Sequence, residues 1–442
     1  MPVLGPMRAS RVRAFLLLAR LPRRWRLSVF AAFLACLAVY GVETLVESIL
    51  ESEEHGRSPL ARSIFELSGL YQRVVTVGWR KPEPRFTTIV ELNIENDPRL
   101  RAVSLNMVCD QRAFLADLIE KLAALNPAAI VLDKYFGADT CVRHPKGTLA
   151  LERAIANASR AGVPVVVGVY AARAENQSEE RSELRLDPSL FTGNPDVTQG
   201  IVNIDRDSRR MALRWCGSVD GQGTTQPEWC ETLAVRGSRK YDAQIMVKYP
   251  RLKQLMTSDT RPYVSFMRPE QFCRYAVLGD GGLVKGTDRR CPVDPENGAV
   301  STRYMRGKIV VVGETTRDID THMSVVGPVS GVFMQANFIE ALLDDRYFRP
   351  VPALDYVFGV SMFLAVTWFG TKMHRTPVWA LAMIGLSVMA MVGLVVGLIL
   401  LGGLYVNPVG VSVLALLFDG SHIALSWVLG RAGNRVVARE VS

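Results

Sequence analysis

The sequence contains none of the short motifs that mark the common enzyme classes. It has no glycine-rich phosphate loop, no nucleophile elbow, no kinase signature, and no cysteine and histidine pair with a supporting acid. It also has no Cys-x-x-Cys pair, which argues against a zinc site and against thiol catalysis. We therefore predict that the protein is not an enzyme and that it needs no cofactor and no metal.

Charged residues are scarce in four long apolar stretches of the chain. The chain has 442 residues, 49% of them hydrophobic and 21% charged, and its mean hydropathy is +0.14. Each stretch has about the length of an α-helix that crosses the hydrocarbon core of a bilayer. We predict an all-α region of four transmembrane helices, at residues 27–50, 351–369, 378–404 and 406–429.

The position of the basic residues predicts the topology of these helices. The formal net charge is +9, but the surplus points to a lipid bilayer and not to nucleic acid, because it flanks the apolar stretches. Arginines fill the leader, residues 1–26, and basic residues recur at Lys372 and Arg375 and in the tail, residues 430–442. Positively charged segments stay on the cytoplasmic side. We expect both termini to be cytoplasmic and residues 51–350 to form one extracytoplasmic domain.

Strand and helix patterns alternate within this domain. Such alternation predicts an α/β fold, with a mainly parallel sheet flanked by helices. The segment 171–196 is polar and is predicted to be a long surface loop. The predicted strands are 86–94, 128–136, 163–170, 200–204, 211–215 and 309–312, and the predicted helices are 57–79, 110–125, 148–160, 227–247 and a helix that begins at Gly331.

Six of the seven cysteines lie in the predicted extracytoplasmic domain, and Cys36 lies in the first predicted span. An even set in an exported domain indicates disulfides, although six buried reduced thiols are the alternative. In two of the predicted pairs, the cysteines are close in the sequence and close a short loop. In the third pair, each cysteine follows one of the strands 86–94 and 128–136, which we predict to be parallel neighbours. The predicted pairs are Cys216 with Cys230, Cys273 with Cys291, and Cys109 with Cys141.

The best candidate for a binding site is the polar loop between the strand 309–312 and the helix that begins at Gly331. Open α/β sheets place ligands at the carboxyl ends of strands, and this loop lies at such an end. Asp133, near the end of strand 128–136, either lines the same crevice or pairs with Lys134. The candidate ligand-binding residues are Asp133, Glu314, Thr315, Thr316, Asp318, Asp320, Thr321, His322 and Asn337.

Two other interpretations of this loop stay open. In one alternative, three of the candidates bind no ligand and only hold the loop through bonds to the backbone. These are Asp318, Thr321 and Asn337. Asp318, Asp320 and His322 alternate in the sequence, as ligands of a metal ion in an extended loop would. Short runs of acidic residues and histidine are common by chance, so we predict no metal here.

Two ionisable residues lie within the last predicted span. Asp419 and His422 are about one helical turn apart and therefore share a face of the predicted helix. Ionisable groups at membrane depth are costly and usually face protein or water. We interpret the pair as a coupling contact between helices; the alternative is a position close enough to the cytoplasmic end to reach the lipid headgroups.

Three stretches of the chain resemble a known family. They are GKIVVVGETTRDIDTH from Gly307, DQRAFLADLIEKLAALNPAAIVLDKYFGAD from Asp110 and QGIVNIDRDSRRMALRW from Gln199. Together they resemble the CHASE type-2 domain, an extracytoplasmic sensory module of bacterial membrane receptors, over roughly residues 50–350. The chain departs from the family pattern at Ser208, where the family usually has glycine, and at Phe333 and Gln335, where it often has an acidic residue and histidine.

The resemblance implies a multi-pass sensor or signalling adaptor in the inner (plasma) membrane of a bacterium, and it implies a homo-oligomer. Only a short tail follows the last predicted span, so we expect the signal of an unknown extracytoplasmic ligand or partner to pass to a separate cytoplasmic output protein. One alternative is a membrane effector whose oligomerised helices form a pore. A second alternative is an extracytoplasmic hydrolase that uses the acidic loop.

Overall fold

The computed structural model divides into two units, Phe65–Pro350 and the remainder of the chain. The residues that it describes are 59–77, 82–92, 105–137, 141, 145–173, 184–186, 190–191, 194, 197–204, 208–214, 231–258, 260–277, 283–285, 291, 302–315, 320–355, 357, 361 and 377–406. Four predicted segments lie outside this part of the chain. They are the leader, the tail, the span 27–50, and the span 406–429 apart from its first residue.

The described residues form fourteen strands and eight α-helices, with short 3-10 turns at Pro269–Gln271 and Thr302–Met305. The strands are β1 Thr87–Leu92, β2 Ala129–Tyr135, β3 Val165–Val169, β4 Ala171–Arg173, β5 Leu184–Leu186, β6 Thr198–Ile201, β7 Tyr263–Val264, β8 Arg274–Val277, β9 Leu283–Lys285, β10 Ile309–Glu314, β11 Thr321–Ser324, β12 Gly327–Ser330, β13 Tyr347–Pro350 and β14 Leu404–Tyr405. The helices are α1 Pro59–Val77, α2 Leu105–Ala124, α3 Pro145–Arg160, α4 Leu233–Tyr241, α5 Ile245–Lys248, α6 Pro250–Thr257, α7 Gly331–Leu343 and α8 Pro377–Gly402.

The main sheet has seven strands in the order β6-β3-β2-β10-β1-β8-β9. All neighbours from β6 to β8 are parallel, and β9 runs antiparallel along β8. The predicted α/β domain with a mainly parallel sheet is confirmed. The prediction that strands 86–94 and 128–136 are neighbours is wrong, because β10 lies between β1 and β2 and pairs with both.

The central strands β1, β2, β3 and β10 bury side chains on both of their faces, as the runs of β-branched residues predict. Successive side chains alternate between two separate cores. Ile89, Val131 and Val311 contribute to the core that also contains residues of α4 and α7. The next residue in each strand, such as Val90 and Val312, joins the core that contains residues of α2 and α3. The sheet is therefore a middle layer with helices packed against both faces.

Three predicted segments differ from the structure. The described residues of the predicted strand 211–215, which are 211–214, form no strand; the backbone there makes isolated bridges, from Arg210 to Tyr263 and from Arg214 to Glu231. The predicted loop 171–196 contains the antiparallel pair β4 and β5. The predicted polar loop before α7 contains the hairpin β11–β12, whose turn is allowed by the positive φ of 104° at Gly327.

Two predicted disulfides are confirmed. Cys109 bonds to Cys141 with an S–S distance of 2.06 Å, and Cys273 bonds to Cys291. Both bonds are buried in the α/β unit. Cys216 and Cys230 lie outside the described residues, so their pairing stays a prediction.

The described part of the second unit contains α8, which coincides with the third predicted span. Among the described residues, no helix is both long enough and apolar enough to cross a membrane. Most of the predicted span 351–369, together with Asp419 and His422, lies outside the described residues. The four-span region therefore has no support from the structure and stays a prediction.

Candidate functional site

A pocket of about 350 Å³ opens at the carboxyl ends of four neighbouring strands, β6, β3, β2 and β10. The helix that follows β2 packs on one face of the sheet, and the helix that follows β10 packs on the other. A crevice forms where adjacent strands diverge in this way, which is where open α/β sheets bind ligands. The residues that line it are Asp133, Lys134, Tyr135, Tyr170, Val202, Asn203, Ile204, Glu314, Asp320, His322 and Gly331.

Asp133 is placed by the end of β2, where it pairs with Gly313 of β10. The pairing of β2 with β3 shifts register between Leu132 and Tyr135, so the strand bends at this point. A methyl group on Gly313 would lie 2.8 Å from the Cβ of Val332 and 3.1 Å from the Cβ of Asp133. Glycine at this position therefore lets both Asp133 of β2 and the first turn of α7 pack closely against β10.

The carboxylate of Asp320 caps α7. The backbone N–H of Gly331 donates to the Oδ2 of Asp320 at 3.1 Å and to its backbone oxygen at 3.0 Å. The N-cap residue, Ser330, makes no capping bond with its side chain, so Asp320 supplies the acceptor and the negative charge that a helix N-terminus favours. A Cβ on Gly331 would collide with the Asp320 carboxylate, and this explains the glycine at the start of the helix.

The two basic groups of the pocket each have an acidic partner. The Nζ of Lys134 pairs with the Oε1 of Glu314, and the side chains are only 20% and 18% exposed. The Nε2 of His322 lies 2.9 Å from the Oδ1 of Asp320. Lys134 thus bonds to Glu314 and not to Asp133. The Oδ2 of Asp133 is shielded from solvent and has no hydrogen-bond partner among the described residues.

Two tyrosines and a fixed amide complete the wall. The rings of Tyr135 and Tyr170 have their centroids 6.4 Å apart and are tilted by 50°. The carboxamide of Asn203 accepts from the N–H of Ala171 at 2.7 Å and donates to its carbonyl at 2.8 Å, which holds the segment after β6 against the segment after β3. The pocket therefore combines a buried acid, two ion pairs and an aromatic surface.

A family model described as the CHASE2 domain matches residues 56–386 of the chain. The chain belongs to the CHASE2 domain family. This is a family of sensory domains, and the match covers every residue that lines the pocket. It also extends past residue 350, the end of the resemblance found by sequence motifs alone. Neither the curated proteins nor the solved structures contained a match.

The CHASE2 domain brings together four of the predicted ligand-binding residues: Asp133, Glu314, Asp320 and His322. Thr315 and Thr321 are described but do not line the pocket. Thr316 and Asp318 lie outside the described residues. Within the described part of the chain, no group of three or more His, Cys, Asp or Glu residues is arranged to hold a metal ion.

Asn337 lies in the core of the CHASE2 domain, away from the pocket lining. Its Oδ1 accepts from the N–H of Met267 at 2.6 Å, and its Nδ2 donates to the carbonyls of Met267 and Phe333. The two bonds to Met267 fix α7 to the segment after β7, and the bond to Phe333 lies within the helix. Sequence reasoning overlooked Tyr135, Tyr170 and Asn203, although each stands at or just after the end of a predicted strand, where pocket residues are expected.

The buried acid gives the CHASE2 domain a specific pH dependence. Burial raises the pKa of Asp133 well above its usual range, the nearby carboxylates of Asp320 and Glu314 raise it further, and Lys134 lowers it. Because the folded state holds this proton more tightly than the unfolded chain, stability falls as the pH rises from the unfolded pKa towards the folded one.

We therefore expect the Asp133→Asn variant to be more stable than the wild type, with a difference that grows with pH. Each pH unit between the two pKa values adds about 1.4 kcal/mol to the difference. Thermal unfolding of the full chain across a pH series measures it, with Asp117→Asn, at an exposed position, as the matched control. A difference between Asp133→Asn and the wild type that does not change with pH would contradict the assignment.

Proposed function

We propose that this CHASE2 protein is a multi-pass membrane sensor or signalling adaptor, and that the pocket binds its extracytoplasmic ligand. The signal would pass through the membrane helices of a homo-oligomer to a separate cytoplasmic protein. One observation carries the proposal: the pocket is built on the first turn of α7, the last helix before the predicted span 351–369. The charge pattern around the predicted spans supports the membrane topology.

The helix α7 is suited to transmit a displacement. All 13 of its residues are buried, and it packs against β1, β10, β12 and α4. Densely packed interiors resist continuous deformation and tend to shift as rigid elements between discrete arrangements. A ligand that moves Asp320 would move the capped end of α7, and the surroundings would not absorb that movement locally.

The segment that follows α7 is also firmly held. The guanidinium of Arg346 is buried and donates to the carbonyl of Ser265 at 2.9 Å and to the carboxylate of Asp344 at 2.9 Å. Directly afterwards, β13 pairs with β7 through Tyr347 and Phe348. The segment from α7 to Pro350, directly before the predicted span 351–369, is thus held by these contacts, and this continuity supports a mechanical relay.

The test is quantitative affinity purification of the full chain from its native host. We compare the wild type with Asp320→Asn, which weakens the cap of α7, and with the exposed control Asp117→Asn. We expect a cytoplasmic protein to be recovered with the wild type, and its recovery to change about fivefold or more in Asp320→Asn, the lower range of allosteric coupling. The control should match the wild type.

Two results would count against this function. One is a recovered partner whose amount is the same in all three preparations, because the pocket would then have no influence on the output. The other is recovery of the chain alone, as a large homo-oligomer that makes liposomes leaky, which would favour a membrane effector.

A further inference from the structure

When Asp133 is ionised, the pocket contains one carboxylate that has no cationic partner. It contains three carboxylates, from Asp133, Glu314 and Asp320, against one lysine and one histidine. Lys134 pairs with Glu314, and His322 pairs with Asp320. The carboxyl group of Asp133 is left with a buried oxygen that no described group satisfies. Buried polar atoms are rarely left without a partner, and such exceptions often mark a binding or catalytic site.

We propose that the pocket binds a small organic cation with a protonated amine, and that Asp133 is its counter-ion. This inference rests on the proposed sensory function and specifies the chemical class of the ligand. An ammonium group paired with the ionised carboxylate of Asp133 would balance its charge through a charge-assisted hydrogen bond, and a rotation of the carboxylate towards the pocket would give Oδ2 its missing partner.

The rest of the wall fits an organic cation. Tyr135 and Tyr170 present aromatic surface beside the acid, and ammonium groups are attracted to the faces of such rings. The volume of about 350 Å³ lies within the range for small-molecule pockets, so a small organic amine has room to bind. The half-exposed side chain of Tyr170 leaves the aromatic side accessible from solvent.

Two other classes of ligand fit less well. An inorganic cation needs several ligating side chains, but Glu314 and Asp320 already have partners and no described group of three ligating residues is in reach. An anion would approach three carboxylates, and the N-terminus of α7, which would otherwise attract it, is already capped by Asp320.

The binding of an amine should release a proton. Asp133 shares the pocket with Lys134 and Tyr135 on its own strand, Glu314 on β10, Asp320 and His322 at the hairpin, and Tyr170 after β3. Burial and the two neighbouring carboxylates keep it protonated over a wider pH range than an exposed aspartate. The ammonium group pairs only with the ionised form, so affinity should rise with pH until Asp133 is ionised without ligand.

The experiment is a calorimetric titration and a thermal shift assay of the full chain. The probes are ethanolamine, putrescine and choline, with butanediol as the neutral analogue, succinate as the anionic analogue, and calcium chloride. We expect at least one amine to bind and to raise the Tm, more strongly at higher pH and with proton release that depends on the buffer. Butanediol, succinate and calcium should not bind.

Asp133→Asn should lose about tenfold or more in amine affinity, because a charge-assisted bond becomes a neutral one. This variant keeps the shape of the side chain and is expected to fold, and Asp117→Asn should bind as the wild type does. Amine binding that is unchanged in Asp133→Asn, or no amine binding at all, would overturn the proposal.

The outcomes also separate this inference from the sensory function. If butanediol, succinate or calcium binds the wild type and not Asp133→Asn, the pocket is a ligand site and the amine class is wrong. If an amine binds through Asp133 while no cytoplasmic protein responds to Asp320→Asn, the ligand class stands and the relay is wrong.

Discussion

Replacing Glu340 with alanine is expected to lower the free energy of unfolding by about 3–5 kcal/mol, the largest loss that we predict for a single change. The carboxylate of Glu340 is fully buried and accepts from the N–H groups of Arg85 at 3.0 Å, Phe86 at 2.8 Å and Thr87 at 2.7 Å. It also accepts from the hydroxyl of Thr87 at 2.8 Å. Alanine would leave these donors without this partner where the chain enters β1, and the N–H and hydroxyl of Thr87 are buried there.

Denaturant unfolding of the full chain measures this loss. Glu340→Gln keeps one carbonyl oxygen and the size of the side chain, so it should lose less than Glu340→Ala. Glu120→Ala, at an exposed position of α2, should change stability by only a few tenths of a kcal/mol. If Glu340→Ala is no less stable than Glu120→Ala, the carboxylate does not hold β1 against α7 as described.

The second large effect is expected from the disulfide between Cys109 and Cys141. The double replacement of both residues by alanine should lower the free energy of unfolding by about 2–5 kcal/mol, the usual cost of removing a native disulfide. The bond closes a loop with a sequence separation of 32 residues and ties the start of α2 to the segment between β2 and α3. Its loss mainly frees the unfolded chain, which gains the conformations that the cross-link had excluded.

The matched comparison is the double replacement of Cys273 and Cys291 by alanine. The disulfide between these two residues closes a shorter loop, with a sequence separation of 18 residues. Loop-closure entropy grows only slowly with length, so this loss should be smaller by a few tenths of a kcal/mol. Denaturation of both double variants under oxidising conditions gives the two values. If the variant without Cys109 and Cys141 has the same free energy of unfolding as the wild type, the disulfide does not constrain the chain.

Local patterns in the sequence predicted most of the elements around the pocket. The β-branched run 309–312 became the core of β10, and the apolar periodicity after Gly331 became α7. Both depend on side-chain spacing within one segment, so they are visible without knowledge of the fold. The same patterns placed Asp133 and Glu314 near strand ends, which identified them as candidates before any distance was known.

Such patterns did not predict which side chains bond to each other within the pocket. Asp133 and Lys134 are adjacent in the sequence, yet the lysine bonds to Glu314, which is 180 residues away. Asp320 caps α7 from 11 residues upstream because the hairpin β11–β12 folds back onto the helix. Asn337 was predicted either to bind the ligand or to hold the loop, and it is a core residue bonded to Met267. Each of these contacts depends on where distant segments meet.

The sequence by itself determined the family, the α/β class, five of the seven strands of the main sheet, and the acidic residues at the carboxyl end of a strand. These follow from residue type and local periodicity. Only the tertiary structure decided that β10 lies between β1 and β2, and therefore that the acids of two distant segments meet at one crevice. Strand order depends on the packing of both faces of the sheet at once, and residue spacing within a segment does not encode it.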